Sequence, residues 1–210
     1  MNAVREKPAV IVSRLANMKF ANVFNPYGDL CPDYDLPDAP GIRRRNLELT
    51  LRRAAGGVDE IWFALEPGHR GARRTGLAMT DDRRLAQHAE YWSIEGVARA
   101  TKSGPETEAT AGIVWGALKR KSASAFLWNA FPLHSHQPNK PLSNRRHTSS
   151  EREACGGITL AIMDLLKPKR VFALGREAEI AAIALGITAK YVRHPSFGGK
   201  TEFLKGIGAR

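Results

Sequence analysis

The chain has 210 residues, 43% of them hydrophobic, with 32 Lys and Arg against 21 Asp and Glu for a formal charge of +11. That apolar share supports a packed core and excludes global disorder, while the longest apolar runs, such as Ile158 to Met163, fall far short of the roughly 20 residues that span a bilayer. Two cysteines, Cys31 and Cys155, supply neither a disulfide framework nor the four thiolates of a conventional iron–sulfur cluster.

The start of the chain, Met1 to Lys7, shows no apolar stretch or cleavage site of a secretion signal, so a reducing, cytoplasmic location at the nucleoid is expected. The positive charge points to a polyanion as partner, nucleic acid before a membrane surface, with an ordinary basic surface as the alternative. A single domain spanning 1–210 is expected from the length.

In chain order, Val10, Leu15 and Met18 fall at helical spacing within 8–20, and 24–35 is dense in turn formers and reads as a long loop. Leu47, Leu49 and Leu51 among arginines mark a second helix, stopped by Gly56-Gly57. Ile61 to Leu65 is an apolar run of strand formers ended by Glu66-Pro67-Gly68, and a basic Gly-rich loop follows from His69 to Gly76. Asp81-Asp82 opens a helix, and 106–119 forms another. Ala125 to Phe131 is a second buried strand, broken at Pro132, and a polar loop runs from His134 to His147. Thr148 or Ser149 caps a helix striped by Ile158, Ile162, Leu165 and Leu166, with Glu151 and Glu153 in its first turn and Pro168 beyond its end. Arg170 to Leu174 is a third strand closed by Gly175, 176–185 is a helix, and Tyr191 to Arg193 is a fourth strand ending at His194-Pro195-Ser196. Strands alternating with helices give a parallel α/β sheet covered on both faces.

Ligands of an open parallel sheet bind where strands end at the carboxyl edge. Three of these strands stop there in Leu65-Glu66-Pro67-Gly68, Trp128-Asn129 and Arg193-His194-Pro195-Ser196, which brings a carboxylate, an amide and an imidazole to one crevice. Read singly, each has a structural alternative: Glu66 as a solvated turn residue, Asn129 as a loop-pinning amide, His194 as a packed histidine. Arg43-Arg44-Arg45 and Arg73-Arg74 are either solvated faces or phosphate contacts. His134, His136 and His147 lack a further ligand nearby, so no metal site is expected. Neither a dinucleotide fingerprint, a P-loop nor a nucleophile elbow is present.

The motifs resemble those of the uracil-DNA glycosylase superfamily. Ala64-Leu65-Glu66-Pro67-Gly68 is similar to its first motif, with Glu66 where the best-known family has Asp, and Gly76-Leu77-Ala78-Met79-Thr80 is similar to the base-stacking segment, with Met79 where Phe is usual. Phe126-Leu127-Trp128-Asn129 resembles the strand ending in the uracil-reading Asn, and His194-Pro195-Ser196 the motif of the catalytic His. The stretch around Asn144-Arg145, Cys155 and 166–175 resembles the iron–sulfur branch without most of its thiolates, hence a cluster-free member with features of more than one branch.

The resemblance covers Asp59 to Phe203 and leaves the first 55 residues as an unmatched extension packed on the domain. It implies a three-layer α/β/α sandwich around a four-stranded parallel sheet, and a monofunctional, monomeric glycosylase that flips uracil, or another damaged pyrimidine, out of single- or double-stranded DNA. No cofactor, metal or membrane is involved. Glu66 and His194 would be catalytic. Leu65, Gly68, Met79 and Asn129 would bind uracil, and Arg145, Arg193, Pro195, Ser196 and Phe197 would bind DNA. Phe197 would be the wedge, one residue before the family's position at Gly198. The alternatives are a non-catalytic DNA-binding module on the same fold, and a hydrolase of free nucleotides or nucleosides.

Overall fold

The computed structural model describes residues 6–209. Four parallel strands, β2 (Glu60–Ala64), β3 (Ala125–Asn129), β5 (Arg170–Leu174) and β6 (Lys190–Val192), form a sheet in the order β3-β2-β5-β6. Each strand side chain points to the face opposite its neighbours'. Ile61, Phe63, Phe126, Trp128 and Ala173 therefore enter one apolar cluster, with α1 (Pro8–Ala16), α2 (Ala39–Ala54) and α6 (Ser149–Leu166). Trp62, Ala64, Phe172 and Leu174 enter a second, with α5 (Ala109–Leu118) and α8 (Lys200–Ile207), and α3 (Ala72–Thr75), α4 (Leu85–Trp92) and α7 (Arg176–Ala184) complete the α-helices of the described residues. The α/β/α sandwich expected from the alternating pattern is what the chain forms.

Local signals explain most boundaries. Thr148 and Glu151 close a reciprocal capping box at the start of α6, satisfying two of the donors that a helix N-terminus leaves open. β2 starts one residue early because Glu60, fully buried, holds Lys121 (3.0 Å), Arg170 (2.7 Å) and the indole N–H of Trp62 (2.8 Å). A buried carboxylate is tolerated only with such partners. The Gly-Lys-Thr run hid α8, whose Phe203 and Ile207, one turn apart, close the second core cluster. The polar loop after β3 carries a two-residue strand, β4 (His134–Ser135), antiparallel to β1 (Val23–Phe24).

The arginine runs are neither solvated faces nor phosphate contacts at the positions that matter most. Arg43, Arg73 and Arg74 are 0%, 1% and 5% exposed. Arg43 pairs with Asp35 and donates to the carbonyl of Arg74 (3.0 Å), while the Arg73 guanidinium lies 3.7 Å from the centre of the Phe24 ring and Arg74 pairs with Asp82 (2.9 Å). Planar guanidinium groups suit this role because they stack on rings and fork to several acceptors. They lock the 24–35 loop, α2 and the 72–75 turn into one unit. Asn25 ties α1 to the same loop by donating to the carbonyls of Leu15 (2.8 Å) and Met18 (2.9 Å).

Arg43→Ala strands the Asp35 carboxylate in the interior, and breaking such a buried pair costs about 3–5 kcal/mol. A fall of that size in unfolding free energy, read from the urea midpoint, is the expected result. Burial holds His88 and His134 down at a pKa of about 3, with the Arg73 charge adding to the effect at His134. The unfolded chain therefore takes up protons that the folded chain refuses. Stability from these two groups is complete above pH 6.5 and is lost as pH falls from 6.5 towards 3; His88→Gln should flatten that decline in urea titrations run at stepped pH.

Candidate active site

The carboxyl edge of β2 and β3 is extended past the last paired residues. Ala64 faces Asn129 in register, and then the amide of Ala130 donates to the carbonyl of Ala64 and that of Phe131 to the carbonyl of Leu65, both at 2.9 Å. Those two bonds hold the Leu65-Glu66-Pro67-Gly68 turn against the end of β3. A cavity of about 400 Å³ opens there, lined by Leu65, Glu66, Gly68, Met79, Asn129, Arg145, His194, Ser196 and Phe197 among others. Nine of the eleven residues singled out in the sequence thus share one cavity wall. Arg193 is exposed beside it, and Pro195 is buried next to His194.

Asn129 follows the strand alternation onto the face where Ala64 and Met79 also lie. It is 2% exposed, and its Oδ1 is buried with no hydrogen-bond partner among the described residues. Buried amides of this kind are nearly always satisfied, and leaving one open costs about 1–3 kcal/mol. Such a group is preorganised for a ligand. Met79 lies at φ 48°, in the left-handed region, 5% exposed against the cavity. A straight-chain residue there stores strain of a kind that concentrates at functional sites.

His194 sits two residues past β6. The backbone N–H of Ser196 donates to its Nδ1 at 3.2 Å, and the Ser196 hydroxyl lies 2.7 Å from the same nitrogen. An Nδ1 that accepts from an amide carries no proton, so the neutral ring bears its proton on Nε2. Burial, and then the neighbouring Arg193 charge, hold the imidazole below its ordinary pKa, which keeps it neutral at pH 7. Space for this loop comes from Gly199, where any Cβ would run into the carbonyl oxygen of His194.

Glu66 points one oxygen away from the cavity wall. Its Oε2 accepts from the backbone N–H of His147 (3.1 Å) and from its ring Nδ1 (2.6 Å), while Oε1 has no hydrogen-bond partner among the described residues. His147 is buried and stacks on Phe131, with ring centres 5.0 Å apart. This positioning histidine was not singled out for the site in the sequence, where it stood only among the metal-candidate histidines. Among the described residues no group of three or more His, Cys, Asp or Glu is placed to hold a metal ion.

Two rim residues differ sharply. All five donors of Arg145 are engaged: by Glu151 (2.6 and 2.9 Å) and by the carbonyls of Ala21, Asn22, His136 and Arg146. It fastens the 145–151 segment to the N-terminal region and has no donor left for a phosphate. Phe197 stands 96% exposed on a left-handed backbone, φ 51°. An aromatic ring held in solvent by a strained residue is not there to stabilise the core.

No protein-family model matches this sequence, and no curated protein does. Solved structures do share its three-layer α/β/α architecture. The crystal structure of wild-type SMUG2 from Pedobacter heparinus superposes with a TM-score of 0.61 at 13% identity, covering 93% of this chain and 94% of that one. At this identity the likeness is one of fold. Its span takes in most of the segment ahead of Glu60, which the motifs alone had left unmatched.

The tautomer is directly measurable. In 15N-labelled protein, His194 should titrate below pH 6.5 and show a protonated Nε2 at pH 7; a protonated Nδ1 would contradict the hydrogen-bond pattern around Ser196.

Proposed function

We propose that this chain is a DNA glycosylase that takes uracil out of the helix and hydrolyses its N-glycosidic bond, initiating base excision repair. One observation carries the reading: a buried amide with an open acceptor, an imidazole fixed as a neutral Nε2–H donor and a carboxylate share one cavity of about 400 Å³. The likeness of fold to SMUG2 supports it, and so does the net charge of +11.

A base inside duplex DNA is out of reach of chemistry, so the nucleotide is extruded at a cost of a few kcal/mol. Phe197 is the apolar wedge that fills the vacated stack, as bulky side chains do in other DNA-kinking proteins. Arg193, exposed at the rim, holds a phosphate; Arg145 acts by fixing the loop. Pro195 and Ser196 shape the His194 loop, and through it the contact to the backbone of the extruded nucleotide.

In the cavity, Asn129 offers uracil one donor and one acceptor. Cytosine presents the reversed pattern and leaves an unpaired buried group. Leu65 and Met79 cover the base, Met79 through a polarisable thioether. Gly68 carries no side chain to crowd the base, and the space beside it is bordered by the Glu108 carboxyl.

Bond cleavage separates an oxocarbenium-like sugar from an anionic base. The Nε2–H of His194 donates to the base oxygen where that charge develops, which is where a preorganised donor in a dry site acts most strongly. The free Oε1 of Glu66 orients the attacking water and balances the sugar cation, while the N–H groups of His147 fix the other oxygen. No step calls for a metal or an organic cofactor.

An oligonucleotide with one uracil, treated with protein and then alkali, should break at that position. Loss of one oxyanion donor costs about 10²–10³-fold, so His194→Ala should lower single-turnover excision by about that much. Glu66→Gln should cost about 10²–10⁴-fold. Both variants should retain DNA binding, and near-wild-type rates in both would reject the assignment. Strand scission absent even with wild-type protein that binds DNA would instead leave a binding module. Phe197→Ala should slow excision from duplex far more than from single strands, since only the duplex has a stack to fill.

A further inference from the structure

The cavity contains a second carboxyl that the mechanism above does not use. Glu108 precedes α5 and lines the same wall as Gly68 and Ala72. Its oxygens lie directly over the turn: a Cβ placed on Gly68 would sit 3.1 Å from Oε1, and one on Gly71 would run into Oε2. The two glycines thus make room for this carboxyl. Neither oxygen hydrogen-bonds to any described residue, although the Glu108 backbone is anchored by its N–H to Asp81 Oδ2 at 2.7 Å. The cavity therefore presents two side chains from separate elements to whatever enters it, the buried Oδ1 of Asn129 and the half-buried carboxyl of Glu108.

We infer that Glu108 is a recognition residue of this site, which as a neutral carboxyl donates a hydrogen bond to a carbonyl oxygen of the base seated against Asn129. The inference rests on the glycosylase reading and adds a specificity determinant to it. Burial, and then the Asp81 charge, push the Glu108 pKa up to about 7, against a smaller opposing effect of Arg84. The charged groups around it are Asp81, Asp82 and Arg84 from the turn before α4 (Leu85–Trp92), Glu66, His69 and Arg70 from the 65–71 loop, Glu106 on its own segment, and Arg145 and His194 across the cavity. Four of these are carboxylates, which disfavour ionising a fifth beside them. Once ionised, Glu108 loses its donor and sets a negative charge beside a base that is itself becoming an anion, which opposes cleavage. A pyrimidine with a carbonyl on that edge is favoured below neutral pH, and the preference fades above it.

The test is kcat/KM for uracil excision from pH 5.5 to 8.5 in wild type, Glu108→Gln and Glu108→Ala. Wild type should lose about tenfold as pH rises through 7, the size of effect that one hydrogen bond to a developing charge gives. Glu108→Gln, a permanent neutral donor, should keep the low-pH rate and lack this limb. Glu108→Ala should be slow and flat across the same range. A Glu108→Gln profile superimposable on wild type overturns the role of Glu108 while leaving the glycosylase reading intact; wild type inert on uracil at every pH overturns both. Circular dichroism of each variant confirms that the rates compare folded proteins.

Discussion

Two backbone hydrogen bonds past the end of a strand pair decide what this molecule is able to do. By carrying β2–β3 pairing on to Ala64, Leu65, Ala130 and Phe131, they set Glu66 and Asn129 side by side at the sheet's carboxyl edge. Parallel register alone brings side chains to the same level, but beyond a strand's end the chain is free to turn away. Here it is held, and β5 and β6 bring His194 to the same edge. The opposite, amino edge is closed by a buried carboxylate, Glu60, with its three partners, so that stability and function occupy opposite ends of the same strands.

At the functional end the chain accepts local costs that a purely structural fold would shed. Asn129 keeps an acceptor unpaired, Met79 and Phe197 hold left-handed backbones, and Phe197 exposes a whole ring. Each is unfavourable by itself, and they cluster around one cavity. Compensation comes from the guanidinium groups buried behind the site: Arg43, Arg73 and Arg74 cross-link the N-terminal loop to the 72–75 turn, from which the Met79 segment continues. The rigidity needed to keep an unsatisfied amide in place thus derives from charges that never meet solvent. Among the described residues these three are the only buried Lys or Arg, against five buried carboxylates (Asp35, Glu60, Asp81, Asp82 and Glu151), so the excess of positive charge stays at the surface, where a phosphate backbone can meet it.

The sheet was legible because each strand is a short apolar run ended by a turn former, and the carboxyl-edge rule then picked out Glu66, Asn129 and His194. What stayed hidden depends on long-range partners. Nothing in Arg73-Arg74 distinguishes a buried, ring-stacked guanidinium from a solvated one, because that depends on Phe24 and Tyr34 some 40 to 50 positions earlier. The engagement of Arg145 with Glu151 was in principle readable, since an Arg three residues before a helix cap and a Glu in its first turn lie within reach. His147 and Glu108 were not placed in the site for a shared reason. Each lies in a loop in front of a helix and reaches the site only through tertiary packing, His147 onto Glu66 and Glu108 over the two glycines.

In the proposed complex these groups surround one extruded pyrimidine. A crystal structure with duplex DNA containing 2′-fluoro-2′-deoxyuridine, whose fluorine resists the oxocarbenium-like step, tests it most directly. The uracil ring should lie inside the cavity, with Asn129 Oδ1 accepting from its N3–H, His194 Nε2 donating to a carbonyl oxygen and the Phe197 ring in the vacated stack. A complex in which the uracil stays paired or stacked in the helix while the cavity faces away from the DNA would contradict it.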